Sequence, residues 1–301
     1  MHKMDNLLFG DNQFFGVNHM SEAKARAQQM QFQDLSAIIK VLDAAYDEGI
    51  RTFMCTTHDR VEQVCDHMRA DPARYSDYLF YPCMPYAHKY ANAAAEDGMM
   101  GAIKRFTPQG GMINAAIRGG MSMVTKELDG ITTVLIDAEM RMFHGLKTPV
   151  IFLQNVVVDL LLGLKMKEPF RIFADHVRDK YGAEPGFITM NLPMLLDLLD
   201  EVGVENPIVC SNINKIGFRM CGGIEAYEKA MRERKFRAIA MSAFASGAIA
   251  PREAIEWVCA QPNLESIVFG ASSLSNIRST KKLVDEFWPV GKTSGAAQLV
   301  P

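Results

Sequence analysis

Short apolar runs rich in β-branched and aromatic residues alternate with longer amphipathic stretches along this 301-residue chain. The runs Leu7–Phe9, Thr52–Met54, Tyr78–Tyr81, Thr132–Ile136, Gly186–Met190, Pro207–Cys210, Ala238–Met241 and Ser266–Phe269 read as strands. Helical spacing lies between them. Leu35, Ile38, Ile39, Leu42 and Ala45 recur three or four apart before Gly49, and Leu195, Leu196, Leu198, Leu199 and Val202 do so before Gly203. A strand followed by a helix, eight times over, predicts an α/β fold of the (β/α)8 TIM-barrel type. The rival is an open doubly wound sheet. It needs a glycine fingerprint after its first strand, and FGDNQFFG lacks the G-x-G-x-x-G spacing.

Two connections are predicted to be enlarged, β3-α3-β4 and β4-α4-β5, each of about fifty residues. The first contains PQGGMINAAIRGGMSM, readable as a lid over the site or as an extra packed helical pair. The stretch VIFLQNVVVDLLLGLKM is apolar nearly all round; residues 150–164 are therefore expected in a buried helix or in a homo-oligomer interface, and the interface is favoured. No composition shift marks a boundary, so residues 1–301 are expected to form one barrel domain, with a loose tail at 288–301.

Composition narrows the function classes. Hydrophobic residues make up 49% and charged residues 22%, enough for a large core and too apolar for disorder. A net charge of −3 offers no bulk attraction to nucleic acid or to an anionic membrane. No uncharged apolar run reaches the length of a membrane span, and MHKMDNLLFG lacks the apolar region of a signal peptide. The six cysteines form no CxxC pair and read as free thiols. A cytoplasmic enzyme of a small molecule, phosphorylated or not, is the expectation.

In such a barrel the chemistry sits at the C-terminal ends of the strands. Asp11, Asn12 and Gln13 follow the first predicted strand; Cys55, Thr56, Thr57, His58, Asp59 and Arg60 follow the second; Cys83, Tyr86, His88 and Lys89 follow the third. Asp137, Glu139, Arg141 and His144 follow the fourth, Asn191 the fifth, Ser211, Asn212, Asn214 and Lys215 the sixth, and Ser242 and Ser246 the seventh. After the eighth, Gly270, Ser272 and Ser273 open a helix whose free N–H groups suit an anion, although Ser is also an ordinary N-cap. Lys215 is a candidate Schiff-base lysine, with Asp137 or Glu139 moving protons. Cys55, His58, Cys83, His88, Asp137 and Glu139 could converge on a divalent metal, but no compact ligand motif supports this. Cys55 or Cys83, activated by His58, is a candidate nucleophile.

The segments ITMNLPMLLDLLDEVG, PIVCSNINKIGF, AIAMSAFASGAIA and EAIEWVCAQPNLESIVFGASSLSNI, with AAYDEGIRTFMCTTHDR, resemble the aldo-keto reductases over about half of the chain. The resemblance implies a barrel binding NADP or NAD at its strand ends. Asn191 and Asn212 would hold the nicotinamide, and Gly270, Ser272 and Ser273 the adenosine-phosphate end. Thr280 stands where Asn is common. The family's Asp-Tyr-Lys-His tetrad does not carry over: Cys55, Arg60, Cys83 and Asp137 align with its positions, and Lys215 with its stacking aromatic. Arg60 can stabilise an oxyanion but cannot readily donate a proton, so His58 or Tyr86 would have to serve. Three functions stay open: a divergent NAD(P)-linked oxidoreductase, a Schiff-base lyase or aldolase, and a non-catalytic ligand-binding barrel.

Overall fold

The computed structural model describes residues 1–16, 21–86 and 124–289. Eight parallel strands close into a barrel in sequential order: β1 Leu7–Gly10, β2 Thr52–Thr56, β3 Leu79–Met84, β4 Val150–Leu153, β5 Glu184–Thr189, β6 Ile208–Asn212, β7 Arg237–Met241 and β8 Leu264–Phe269. The helices around them are α1 Glu22–Gln31, α2 Leu35–Asp47, α3 Asp59–Ala70, α4 Val124–Met140, α5 Asn155–Gly163, α6 Glu168–Tyr181, α7 Leu192–Glu201, α8 Ile224–Glu233, α9 Pro251–Cys259 and α10 Leu274–Phe287. The expected (β/α)8 barrel is what forms. No helix among the described residues is long and apolar enough to cross a membrane.

Local chemistry sets the helix ends. Pro251 opens α9, where a missing N–H costs nothing. Ser273 caps α10 by accepting from Asn276 N–H at 3.3 Å, and Gly182 ends α6 in the left-handed region at φ 60°.

Strand pleating sorts the core into two layers. Phe9, Phe53, Cys55, Phe80, Phe187 and Val209 face outward and pack with the helices in one cluster. Leu8, Met54, Tyr81, Cys83, Phe152, Cys210 and Ile239 face inward and fill the axis in another. The N-terminal end of the axis is closed by polar groups. Buried Arg237 donates to Glu184 at 2.6 Å, to Glu265 at 2.9 Å and to the His2 carbonyl at 2.6 Å. His2 in turn meets the Tyr81 hydroxyl at 2.9 Å.

The expected fourth strand, Thr132–Ile136, lies instead within α4. Its β-branched residues favour a strand only weakly, and packing decides: Ile136 and Met140, four apart, reach the core together. The real β4, Val150–Leu153, heads the apolar stretch expected to be a helix or an interface. Only after Gln154 does a helix begin. Residues 150–153 are thus barrel strand, and the surface left for a partner reduces to Val156, Leu160 and Leu164, which are exposed. The long insert falls in one connection, Met84 to Val150; Leu153 to Glu184 carries α5 and α6. PQGGMINAAIRGGMSM and the tail from residue 290 lie outside the described residues, while Trp288 packs on the outer core.

Asp137 moves with α4. It accepts from His176 Nε2 at 2.8 Å and from Lys180 Nζ and Tyr181 Oη at 2.6 Å each, pinning α4 to α6 on the outside of the barrel. The three donors hold its carboxyl below the usual range against the opposing effect of burial.

Gly186, on β5, is paired with Phe152 on neighbouring β4 and lies against its ring. A Cβ there would come within 2.3 Å of the ring. Gly186→Ala is expected to destabilise the chain by about 1–3 kcal/mol through overpacking, read by urea unfolding. Phe152→Leu in the same chain should recover part of the loss; strictly additive effects would show that the ring is not the cause.

Candidate functional site

The pleat that fills the axis also decides which residues line its C-terminal mouth. Thr56 continues the inward face of Met54, Asn212 that of Cys210, Met241 that of Ile239, and Gly270 follows Val268. Thr56 and Met241 are half-buried, whereas Leu8, Phe152 and Ile239 are closed from solvent. The loop after β7 adds strain: Ser242, Ala245 and Ser246 hold φ of 56°, 45° and 57°. Each costs roughly 1 kcal/mol or more for a residue with a Cβ, and such strain clusters at functional sites.

Two buried carboxyls stand at this mouth. Asp11, directly after β1, accepts from Thr56 N–H at 2.7 Å and meets Thr56 Oγ1 at 2.7 Å. Burial pushes its carboxyl up, and the Thr56 bonds oppose this. Glu139 accepts from Thr57 Oγ1 at 2.5 Å and from Tyr86 N–H at 3.2 Å. Asp137 and Glu139 are two residues apart on α4, so they point to opposite sides; one meets α6 and the other the mouth.

Aromatic rings rim the same side. His58 caps α3, its Nδ1 accepting from Arg60 N–H at 3.0 Å, so that nitrogen is unprotonated in this arrangement. Its ring stacks on Phe15 at 4.2 Å between centroids and meets Tyr86 edge-on at 5.5 Å. Burial raises the Tyr86 phenol, with Asp11 and Asp59 adding to the effect.

Gln13 is 4% exposed. Its Nε2 donates to the Gly10 carbonyl at 2.8 Å, which fixes the amide orientation. Its Oε1 then has no partner and lies 2.1 Å from where a Cβ of residue 270 would be. Gly270 is therefore glycine because Gln13 occupies that space. Ser272 and the start of α10, which has no acidic residue in its first turn, remain available to an anion.

Several expected residues are elsewhere. Cys55 faces the helix layer and Cys83 the axis, so they do not share a site; burial raises both thiols well above the ordinary range, against a nucleophilic role. The Arg60 guanidinium donates to the Phe32 carbonyl. Lys215 is half-exposed and donates to Glu253 at 2.7 Å, a surface ion pair and no Schiff-base pocket. His88 and Lys89 lie outside the described residues. Among the described residues no three metal-ligating side chains converge, so Cys55, His58, Cys83, Asp137 and Glu139 form no metal centre.

Asn191 and Asn212 stand at the ends of neighbouring strands paired through Thr189 and Ser211. Asn191 Oδ1 caps α7 by accepting from Met194 N–H at 3.4 Å, and its Nδ2 has only a long contact of 3.8 Å to Met194 Sδ. Asn212 is buried and spends Nδ2 on the Arg219 carbonyl at 2.9 Å. Asp11, Gln13 and Thr56 were visible in the sequence only as polar residues at strand ends. Charge and burial, which single them out, are properties of the closed barrel.

No protein-family model matches the sequence, and no curated protein matches it significantly. Solved structures do. A candidate aldo-keto reductase from Pseudomonas aeruginosa matches with a TM-score of 0.59 at 13% identity, over 94% of this chain and 90% of that one. An aldo/keto reductase from Brucella melitensis gives 0.53 at 11%, over 93% and 87%. A Bombyx mori aldo-keto reductase in complex with NADP gives 0.54 at 10%, over 94% and 87%. The fold is thus that of the aldo-keto reductases, as the resemblance implied, and it extends well beyond the segments that carried the resemblance.

Alkylation by iodoacetamide at pH 8 should label exposed Cys221 and leave Cys55 and Cys83 untouched until the chain unfolds. Mass spectrometry of the labelled peptides checks this. Fast labelling of Cys83 would restore the nucleophile reading.

Proposed function

We propose that the chain is an NAD(P)-linked oxidoreductase acting on a small carbonyl compound or alcohol held in the barrel mouth. The observation that carries this reading is the Asn191–Asn212 pair. At neighbouring strand ends it presents an amide whose Nδ2 has only a long contact and an amide that gives one of its two N–H groups to the Arg219 carbonyl. That set complements a carboxamide, which offers one acceptor and one donor group.

The fit extends to the second end of a dinucleotide. Ser272 and the N-terminus of α10 suit a phosphate there. Asn191 and Asn212 would hold the nicotinamide, and Gly270, Ser272 and Ser273 the phosphate. Bound there, the dinucleotide supplies or accepts hydride. The chain supplies the rest: an apolar wall from Met241 and Val268, aromatic edges from His58 and Tyr86, and acids at Asp11 and Glu139. The fold shared with an NADP-bound reductase supports the reading.

One observation favours a second reading, a barrel that binds its ligand without turnover. The tetrad positions are held by buried thiols, an arginine bonded to the Phe32 carbonyl and, at the end of β4, Gln154 in place of Asp137.

Titration of the purified chain with NADPH and NADH, by fluorescence and calorimetry, decides whether a dinucleotide binds. Micromolar affinity is expected for one of them. Asn212→Ala should weaken it about tenfold, on the order of one hydrogen bond. Absence of binding by folded protein would overturn the reading, and tight binding with no turnover across a broad set of carbonyls would establish the second one.

A further inference from the structure

We propose that Asp11, acting through the hydroxyl of Thr56, is the proton source of the barrel mouth and replaces the phenol that this fold's relatives would be expected to use. The inference rests on the oxidoreductase reading for what the proton serves.

The geometry is that of a two-member relay. Asp11 is 6% exposed and cannot itself touch a molecule in the mouth. Thr56 can: it is half-buried and shares the inward face of β2 with Met54. Asp11 Oδ2 lies 2.7 Å from Thr56 Oγ1 and is held in place by Thr56 N–H at the same distance. The Oγ1–Oδ2 contact is within the range for proton transfer along a hydrogen bond, and the amide contact holds the carboxyl in register for it.

The surroundings favour a carboxyl that keeps its proton. Cys55, Cys83 and Tyr86 are its nearest titratable neighbours on β2, on β3 and after it; burial above all raises each of them, so they stand beside it as uncharged groups. Next along the β2 end stand His58 and Glu139, the latter held by Thr57. Thr56 donates to the Asp11 carboxyl twice, and no lysine or arginine among the described residues does. Burial is the largest influence on it, and its direction is upward.

In the direction of reduction the step balances as follows. A proton passes from Asp11 Oδ2 to Thr56 Oγ1 while the Thr56 proton passes to the substrate's carbonyl oxygen. The π pair of the C=O bond becomes the new O–H pair. The two electrons of the new C–H bond arrive with hydride from the reduced dinucleotide. Asp11 is left as a carboxylate, steadied by Thr56 N–H. Oxidation of an alcohol runs the same path in reverse.

The test begins on the full chain without ligand. In a 13C-carboxyl NMR titration, with Asp11→Asn assigning the signal, Asp11 should titrate above the exposed aspartates. Thr56→Val, which removes a bond to the carboxylate, should move it higher, and Thr56→Ser should restore it. An Asp11 signal that titrates with the exposed aspartates, or ignores Thr56→Val, overturns the proposal.

Asp11→Asn keeps an acceptor for Thr56 N–H and is expected to fold. The wild type carries a raised carboxyl, so its stability falls as pH rises through that carboxyl's range; the variant's relative stability should rise there. With a carbonyl substrate, Asp11→Asn should lower kcat by about 100-fold or more, with dinucleotide Kd unchanged within about twofold. Thr56→Ser should keep the activity that Thr56→Val loses. Wild-type turnover by Asp11→Asn overturns the proposal. If the wild type binds neither NADPH nor NADH, the oxidoreductase reading fails by itself, and the carboxyl titration still decides whether Asp11 holds the proton.

Discussion

Closure of eight parallel strands gives every strand two hydrogen-bonded neighbours, and that leaves only one freedom, which alternate residues point to the axis. Register settles it. Met54 inside places Thr56 inside and Cys55 outside; Cys210 inside places Asn212 inside. A slip by one residue would turn Cys55 and Phe53 into the axis and Thr56 onto α3. The axis is also full. Phe152 lies so close to Gly186 that no side chain fits, and Gln13 fills the space over Gly270. A ligand therefore meets the barrel at its mouth, because the apolar axis below and the Arg237 ion cluster at the far end exclude it.

Much of this barrel was legible in the chain. Seven of the eight strands fall where short apolar runs lie between helical patterns, because parallel strands covered on both faces must be apolar throughout. The eighth was hidden for the same reason. Val150–Leu153 runs into α5 with only Gln154 between them, and an unbroken apolar run carries no period to separate strand from helix. Thr132–Ile136 looked like the missing strand because its β-branched residues also suit one. That single displacement moved Asp137 and Glu139 together in the sequence reading. On a helix they separate, and the one named as catalytic became a pin between α4 and α6.

The candidate site was less legible. Sequence shows which residues follow a strand but not which turn inward, which are closed from water, or which hydrogen bonds are already made. Lys215 and Arg60 were chosen for their chemistry, and both are spent, one on Glu253 and the other on the Phe32 carbonyl. Asn191 and Asn212 came from the resemblance and keep their neighbourhood, since strand order preserves it. Asp11 and Gln13 drew no attention because nothing in FGDNQFFG tells that one carboxyl is buried and one amide oxygen orphaned.

Residue types alone mislead in this fold. His176, Lys180 and Tyr181 gather around Asp137, so the four side-chain types of the relatives' tetrad meet in one cluster. They do so on the outer helices, where three donors saturate one carboxylate and leave no acid free to give a proton. The mouth has the opposite arrangement: acids held by neutral hydroxyl and amide groups, beneath aromatic rims. A carboxylate paired with cations is stabilised as a charge and is poor at giving up or taking a proton near neutrality. Burial without a cationic partner raises the Asp11 carboxyl even against the Thr56 hydrogen bonds. Placement relative to the barrel axis, and not the identity of the side chains, is what separates the structural cluster from the chemical one.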